Sequence, residues 1–343
     1  MNKRERLEAT INGEPVDRVA VALWRHWPGD DQRAEDLATA HIEFQRRYDW
    51  DFVKVTPASS YCLKDWGIED QWEGSLEGTR TYTRRAVEEP EDWLLLKVLP
   101  PDQGALGQQL ICLELLKKAF GQEIPFIQTI FNPLAQAKNL AGNATLLRHI
   151  RQNAGQVHHA LQTITDTTLC FIQEAKSTGI AGIFYAVQHA NYGMMSESEY
   201  QVFGRPYDLQ ILSAVKDLWL NILHLHGPHG MFGQIADYPV QMINWHDRES
   251  APDLSAGLKR IKGAAIGGVA REALHSDNPD LALTQAREAF EQTGGQRWAL
   301  GTGCVTWVTT PQTTRAGRVI TALAVIRSGG LRGGRPALHV TSR

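Results

Sequence analysis

The chain has 343 residues, of which 43% are hydrophobic and 21% charged, and its formal net charge is −3. These values exclude a disordered or fibrous chain, and they give no general electrostatic attraction to nucleic acid or to an acidic membrane surface. The length suits either two small domains or one large α/β barrel.

Short apolar, β-branched runs alternate along the chain with longer segments of helical period. The predicted strands are residues 19–24, 51–57, 124–131, 180–187, 221–227, 242–247, 264–269 and 297–305. The predicted helices are residues 33–47, 104–120, 145–177, 196–218, 253–260, 279–292 and 313–327. Such alternation implies parallel strands joined by helical crossovers, and eight strands favour a single-domain (β/α)8 TIM barrel.

A doubly wound open sheet is the competing α/β architecture. The chain has no Gly-x-Gly-x-x-Gly unit after a strand and no Walker loop, so we expect no nucleotide cofactor. Residues 66–93 interrupt the alternation and predict a β-hairpin insertion followed by a helix start at Pro90. Ser196 and Glu199 fit a capping box at the start of a helix, and Pro279 suits a first helical turn.

Cysteine usage and the N-terminus bear on the cellular compartment. Four scattered cysteines are too few for a disulfide scaffold. The charged N-terminus lacks the apolar core of a signal peptide, and no segment reaches the roughly 18 apolar residues of a membrane helix. We therefore expect a soluble, cytoplasmic protein with no membrane or nucleic-acid partner.

The C-terminal ends of the predicted strands carry most of the candidate site residues, as barrel enzymes require. His224 and His226 are two positions apart on a strand, so both imidazoles project to one face. With Cys304 they form a zinc-like set of three ligands that leaves one position open. His229 is either a fourth ligand or a helix cap. The alternative is that the histidines are ordinary rim residues and Cys304 a small buried one.

Other polar and titratable side chains lie at the same strand ends. Tyr185 and Asp247 either orient substrate and transfer protons or only hydrogen bond within the rim. Arg25 is either an anion clamp or the partner of Asp30 or Asp247 in an ion pair. The candidate substrate-binding residues are Arg25, His26, Lys54, Gln188 and His246.

Two segments resemble a known family. Residues 4–13, followed by Asp17-Arg18-Val19, are typical of the start of the uroporphyrinogen decarboxylase superfamily, and residues 196–212 resemble its helix after strand four. The resemblance covers residues 3–327 and implies a (β/α)8 barrel. The superfamily also includes zinc-dependent methyltransferases that move methyl groups from corrinoid proteins to coenzyme M.

The decarboxylase branch fits the chain less well. In that branch two arginines after strand one bind substrate carboxylates, an aspartate after strand two receives the tetrapyrrole, and strand eight ends in Gly-His. Arg25 matches the first arginine, but Gly29 replaces the second, Ala58 replaces the aspartate and Cys304 replaces the histidine. Uroporphyrinogen decarboxylation, in porphyrin biosynthesis, therefore stands as the alternative function, together with non-catalytic binding of a tetrapyrrole or corrinoid.

The methyltransferase branch places its zinc ligands as His-x-Cys after strand five and Cys after strand eight. His224, His226 and Cys304 match these positions, with histidine in place of one cysteine. The resemblance implies that Zn²⁺ activates a thiol for methyl transfer from a corrinoid protein or a related donor. Arg25 and Lys54 would then hold an anionic end of the small-molecule substrate, and the family resemblance is compatible with a homodimer.

The C-terminus departs from the family pattern. No Asp or Glu follows Glu291, whereas seven arginines do, and residues 328–343 are rich in glycine and lack periodicity. We expect residues 1–327 to form the barrel and residues 328–343 to form a flexible, basic tail.

Overall fold

The structure is a computed structural model that describes residues 1–276 and 278–309. The predicted helix at residues 313–327 and the predicted tail at residues 328–343 lie outside these ranges, as does the predicted boundary between barrel and tail. None of the helices in the described ranges combines the length and the apolar character that crossing a bilayer requires.

Seven parallel strands form a curled sheet in which each strand pairs with the next one along the chain. Their bounds are Val53–Val55 (β1), Phe126–Phe131 (β4), Gly182–Val187 (β5), Ile222–Leu225 (β6), Met242–Trp245 (β7), Ala264–Val269 (β8) and Trp298–Thr302 (β9). A separate antiparallel pair consists of Glu69–Gln71 (β2) and Thr81–Arg84 (β3).

Residues 19–25 close the sheet into a barrel. The backbone N–H of Leu300 donates to the carbonyl of Ala20 at 2.8 Å, and the N–H of Asp51 donates to the carbonyl of Val21 at 2.9 Å. Isolated bridges join Val21 to Leu300 and Arg25 to Thr306. This segment therefore occupies the position of the eighth barrel strand, between β9 and β1, although it is too irregular to count as a regular strand. The predicted (β/α)8 fold class is confirmed.

The helices follow the predicted order, with two long ones divided. Predicted helix 145–177 is interrupted at Asn153, and predicted helix 196–218 is interrupted at Gly204, just before the Pro206 that cannot donate a helical hydrogen bond. The helices are Lys3–Asn12 (α1), Ala34–Tyr48 (α2), Gly104–Phe120 (α3), Pro133–Ala141 (α4), Asn143–Gln152 (α5), Ala154–Ser177 (α6), Glu197–Phe203 (α7), Arg205–Ala214 (α8), Phe232–Ile235 (α9), Leu254–Leu258 (α10), Arg271–His275 (α11) and Pro279–Thr293 (α12).

Two predicted helix starts are confirmed, whereas helices α1, α4, α9 and α11 have no predicted counterpart. The side chains of Ser196 and Glu199 form the reciprocal capping box of α7, and Pro279 occupies the first turn of α12. Helix α4 escaped the sequence analysis, although Asn132 caps it and Pro133 starts it, which is a standard helix-start pattern. Helix α4 directly follows β4 and contributes to the rim of the barrel.

Each barrel strand separates two apolar cores. Because side chains alternate along a strand, the even-numbered residues of β5 and β6, such as Phe184 and Ile222, fill the barrel interior. The odd-numbered ones, such as Tyr185 and Leu223, pack outward against the helices. The register pairs Ala186 with His224, so His224 shares the inward face.

The predicted hairpin insertion is confirmed as β2 and β3, and it lies over the mouth of the barrel. Glu77, in the hairpin loop, accepts a hydrogen bond at 2.5 Å from Arg271, which follows β8. Gly78 approaches His26 so closely that a Cβ at this position would lie 2.5 Å from the Cβ of His26. The insertion thereby covers the C-terminal ends of the strands, where barrels carry their sites.

Candidate metal centre

Four side chains converge at the mouth of the barrel: His224, His226, His246 and Cys304. One donor atom of each lies within 4.8 Å of the others. The Sγ of Cys304 is 3.7 Å from the Nδ1 of His226 and 3.9 Å from the Nε2 of His224. The three imidazole rings have centroids 5.4 to 5.8 Å apart. The structure thus brings together the three residues that the sequence analysis proposed as ligands, and it adds His246.

Asn244 fixes the orientation of His224. The Nδ2 of Asn244 donates to the carbonyls of Ile266 and Thr302, at 2.8 and 3.0 Å, so its Oδ1 must face the Nδ1 of His224, 2.6 Å away. An amide oxygen only accepts hydrogen bonds, and the proton of His224 therefore lies on Nδ1. The lone pair of Nε2 is left to point at Cys304 and His226, as a metal ligand requires.

Glu249 is the carboxylate nearest to His246. Its Oε2 lies 3.1 Å from the Nδ1 of His246, and its Oε1 lies 3.9 Å from the Nε of Arg271. The first contact is within ion-pair distance, but its angles do not make a hydrogen bond, so both ring nitrogens of His246 are buried without a hydrogen-bond partner in the described ranges. Such orphaned nitrogens are unusual in a protein interior and require an explanation.

Burial keeps the histidines that carry the candidate ligand nitrogens neutral. Desolvation lowers the pKa of His224 well below its usual value, and the neighbouring His226 and His246 add to the effect. The pKa of His226 is also lowered, mainly by burial. Burial acts in the same direction on His246, but Cys304 and Glu249 outweigh it and raise its pKa. A metal binds imidazole in its neutral form, so His224 and His226 are in the state that a metal requires.

Lys54 and His26 are two further buried, titratable residues near the cluster. The Nζ of Lys54 is buried, donates to the Oγ1 of Thr56 at 3.1 Å and lies 4.6 Å from the ring centre of Phe184. Burial lowers its pKa to about 7, while the charge of Cys304 acts to raise it. Burial and the charge of Lys54 lower the pKa of His26 to about 3. Both residues therefore lie close enough to the cluster for electrostatic interaction, Lys54 with Cys304 and His224, and His26 with His226.

Gln188 borders the cluster through a cavity. The cavity has a volume of about 600 Å³, and its wall includes the hairpin insertion, helix α4 and the loops after β5 and β6, with His226 and Gln188 among the lining residues. The Oε1 of Gln188 is buried without a hydrogen-bond partner in the described part of the chain. Gln188 is therefore placed where a substrate that reaches His226 would pass.

The uroporphyrinogen decarboxylase family model matches residues 2–319, nearly the whole chain. The chain belongs to this family. Its match to a uroporphyrinogen decarboxylase of Flavobacterium johnsoniae is shorter, with 29% identity over 129 residues, or 36% of the chain and 37% of that protein.

The relatives matched over more of the chain are methyltransferases. The methylcobamide:CoM methyltransferases MtbA of Methanosarcina acetivorans and Methanosarcina mazei are each 22% identical over 240 residues, which is 65% of this chain and 70% of theirs. Among solved structures, a methyltransferase from Methanosarcina mazei aligns with a TM-score of 0.82 at 18% identity, over 95% of this chain and 98% of its own. At that identity the structural likeness supports the fold alone.

Tyr185 does not face the cluster in this member of the uroporphyrinogen decarboxylase family. It pairs in register with Leu223, which is adjacent to His224 and on the opposite face of the strand. Its hydroxyl donates to Asp208 at 2.7 Å, and Asp208 also accepts from Tyr200, Tyr238 and Asn132. Residue 185 has the outward parity of its strand, so the structure does not bring Tyr185 together with the cluster, and its catalytic role stays a prediction.

Arg25 lies apart from the cluster. Its guanidinium donates to the carbonyls of His26 and Val308 and stacks over the ring of Trp27. It lines a different cavity, beside α2, and not the cavity that His226 lines. The structure therefore does not bring Arg25 together with the candidate metal ligands, and it shows no ion pair from Arg25 to Asp30 or Asp247 within the described ranges.

Asp247 follows the cluster residue His246 but is not among the converging donors. Its Oδ2 accepts from the N–H of Gly268 at 3.1 Å, and its Oδ1 is packed against Gly267 without a hydrogen-bond partner in the described residues. Burial raises its pKa to about 7. A carboxyl with such a pKa can exchange protons near neutral pH, and its catalytic role stays a prediction.

His229 is not a fourth donor, because it is exposed and lies outside the converging set. His246 takes that place, although the sequence analysis assigned it to substrate. His246 is two residues beyond Asn244, which faces inward on β7. If the alternation of side chains continues past the end of the strand, His246 also faces inward, and this pattern would have predicted its position in the cluster. Asn244 and Glu249, which support the histidines, were not predicted at all.

Proposed function

We propose that this protein is a zinc-dependent methyltransferase that activates a thiol to accept a methyl group from a corrinoid protein or a related donor. The observation that carries the proposal is the convergence of His224, His226 and Cys304 at the mouth of the barrel. Membership of the uroporphyrinogen decarboxylase family and the likeness to methylcobamide:CoM methyltransferases support it.

The donor set fits Zn²⁺ better than it fits an empty apolar core. Two neutral imidazoles and a thiol sulfur are the ligand types that zinc prefers, and the buried nitrogens of His246 lack a hydrogen-bond partner in the described ranges. Three ligands from His224, His226 and Cys304 leave a position for substrate beside His246. Bound zinc would supply Lewis acidity, which lowers the pKa of a coordinated thiol.

The surrounding residues have assignable roles in this proposal. Asn244 holds the Nε2 of His224 toward the centre, and Glu249 supports His246. The ammonium of Lys54, in reach of Cys304, would stabilise negative charge that develops on substrate sulfur. Phe184 and Trp24 close the interior below with apolar rings 5.1 Å apart. Exclusion of water strengthens these electrostatic interactions.

The metal content of purified protein tests the proposal. We expect near-stoichiometric zinc by elemental mass spectrometry in the wild type, and its loss in His226→Ala and Cys304→Ser. His229→Ala and Cys170→Ser are matched controls, because both residues are exposed and lie outside the cluster. Both controls should retain zinc. Absence of zinc from wild-type protein after reconstitution, or its loss in the controls as well, would contradict the proposal.

Turnover assays separate the two reactions found in the family. Methyl transfer from a methylated corrinoid to a thiol, dependent on the same two ligands, is the expected activity. Release of carbon dioxide from uroporphyrinogen by zinc-free protein would instead establish the decarboxylase alternative, and tight tetrapyrrole binding without turnover would establish a binding protein.

A further inference from the structure

The cavity beside His226 carries two cationic side chains that the candidate metal centre does not use. Arg85, which follows β3, and Lys138, on α4, both line its wall. Within the described ranges neither forms an ion pair with a carboxylate. The other charged groups of the wall are compensated: Arg80 pairs with Asp70, and Glu77 pairs with Arg271.

Arg85 is held in place by only part of its guanidinium. Its Nη1 donates to the carbonyls of Asn139 at 2.6 Å and Lys138 at 3.4 Å, near the C-terminal end of α4, and its Cζ lies 5.0 Å from the ring centre of Tyr82. A guanidinium has five N–H donors in a planar fork. The remaining edge is available to a ligand, and a fork of this shape matches a carboxylate or phosphate.

The side chain of Lys138 makes fewer polar contacts with the protein than that of Arg85 does. Its Nζ has no hydrogen-bond acceptor among the described residues, and it is partly buried. Burial and the nearby Arg85 lower its pKa to about 8. Its positive charge also acts on His226 and His189, adding to the lowering of their pKa values by burial. Lys138 therefore lies close enough to both Arg85 and His226 for its charge to act on each, and all three line the same cavity.

Two uncharged polar atoms in the same wall also lack protein partners. The Oε1 of Gln188 and the hydroxyl of Tyr82 are buried without a hydrogen bond to any described residue. Buried polar atoms are nearly always hydrogen bonded to protein, water or ligand. The wall of this one cavity therefore combines cations that lack counter-ions with polar atoms that lack hydrogen-bond partners. This combination is expected of an anion-binding site without its ligand.

We propose that Arg85 and Lys138 form an anion subsite that binds a carboxylate or phosphate group of the substrate while its reacting end lies beside His226. The inference rests on the proposed function, because it assigns the charge of the molecule that this centre acts on. The cavity volume of about 600 Å³ falls within the roughly 300–1,000 Å³ of pockets that hold small organic ligands. The proposed substrate is therefore an organic thiol that carries a carboxylate or phosphate group at a distance from its sulfur.

Ligand-observed NMR with three probes tests the subsite. Mercaptosuccinate carries a thiol and two carboxylates, thioglycerol is a neutral thiol of similar size, and succinate lacks the thiol. We expect wild-type protein to bind mercaptosuccinate about tenfold more tightly than thioglycerol, which is the size of one charge-assisted contact. Lys138→Met should abolish this preference, Lys138→Arg should retain most of it, and added salt should weaken it.

Arg84→Met is the matched control, because Arg84 adjoins Arg85 but is exposed and pairs with Glu69. Its charge preference should equal that of the wild type. Arg85→Met should lose the charge preference as Lys138→Met does. Because Arg85→Met also removes hydrogen bonds to α4, it could unfold the protein, and in that case the result for Lys138→Met decides the test. Equal binding of the charged and neutral thiols by wild-type protein, or equal loss in Arg84→Met, would overturn the subsite.

Succinate separates failure of the subsite from failure of the metal centre. Its binding requires the cations but not zinc, so it should weaken in Lys138→Met in both zinc-loaded and chelator-treated protein. Protein that never binds zinc but still shows this dependence would refute the proposed function and retain the anion subsite. Zinc-loaded protein that binds succinate equally well with and without Lys138 would refute the anion subsite and retain the proposed function.

Discussion

Asn244→Ala is the substitution that tests most directly how the barrel prepares His224. Asn244 is completely buried, and its amide makes three hydrogen bonds: it accepts from the Nδ1 of His224 and donates to the carbonyls of Ile266 and Thr302. The variant leaves all three partners unsatisfied and frees His224 to rotate or to change tautomer. We expect weaker zinc binding as well as lower stability.

The two effects have different magnitudes and a control that separates them. Three hydrogen bonds at about 0.5–1.5 kcal/mol each give a loss of about 1.5–4.5 kcal/mol in the free energy of unfolding. Loss of a group that orients a metal-ligating histidine costs about 10- to 100-fold in metal affinity. Asn221, completely buried at the start of β6, also makes three hydrogen bonds through its amide, to Val215, Leu218 and Ile183.

Asn221→Ala should therefore lose comparable stability and keep its zinc affinity. Urea unfolding of metal-free protein measures the stability loss, and competition against a fluorescent zinc chelator measures the affinity. Wild-type affinity in Asn244→Ala, or an equal loss of affinity in Asn221→Ala, would refute the view that Asn244 prepares His224 for a metal.

Three further predictions address residues around the site. Tyr185→Phe should lower stability by about 1 kcal/mol by removing one donor to Asp208, with zinc content and turnover unchanged; a loss of turnover without a loss of stability would support the predicted catalytic role of Tyr185. Lys54→Met should raise the thermal midpoint, because it removes a buried charge, and should lower methyl transfer at least tenfold; unchanged turnover would remove Lys54 from the site. Arg151, with a smaller contribution from hydrogen bonds of Ser196, lowers the pKa of Glu199 from 4.5 to about 2. The pairing with Arg151 therefore stabilises the protein above about pH 5, and this stabilisation is lost as the pH falls toward 2. Urea unfolding of Arg151→Met should show a smaller loss over that range, and an unchanged acid limb would contradict this assignment.

The alternation of strands and helices could be predicted because parallel barrel strands are buried on both faces and appear as continuous apolar runs. The bounds of β8 agree with the prediction at both ends, and those of the other regular barrel strands differ from it by at most three residues at either end. The interruptions at Asn153 and Gly204 were missed because helical periodicity continues across both. At Gly204 the available signal was Pro206, which lacks a backbone N–H and starts a new helix, whereas at Asn153 the sequence carries no comparable signal.

The site was harder to predict than the fold, since it depends on which face each side chain occupies. His224 and His226 were placed together because both lie on one strand, where alternation alone decides. Tyr185 required the register between β5 and β6, which a single sequence does not supply. Asn244 was missed for a related reason: it resembles any buried polar residue until the register of β6 and β7 places it beside His224.

Cys304 shows how close packing of the backbone, more than any motif, completes the cluster. The histidines come from β6 and the end of β7, whereas Cys304 follows β9, and β8 lies between β7 and β9. A Cβ at Gly303 would lie 2.8 Å from the Cα of His246 and 2.9 Å from the carbonyl oxygen of Trp245. Only glycine permits that approach, and the approach carries the next residue, Cys304, across the end of β8 to the imidazoles. The glycine before the cysteine is therefore as necessary to the proposed metal centre as the sulfur itself.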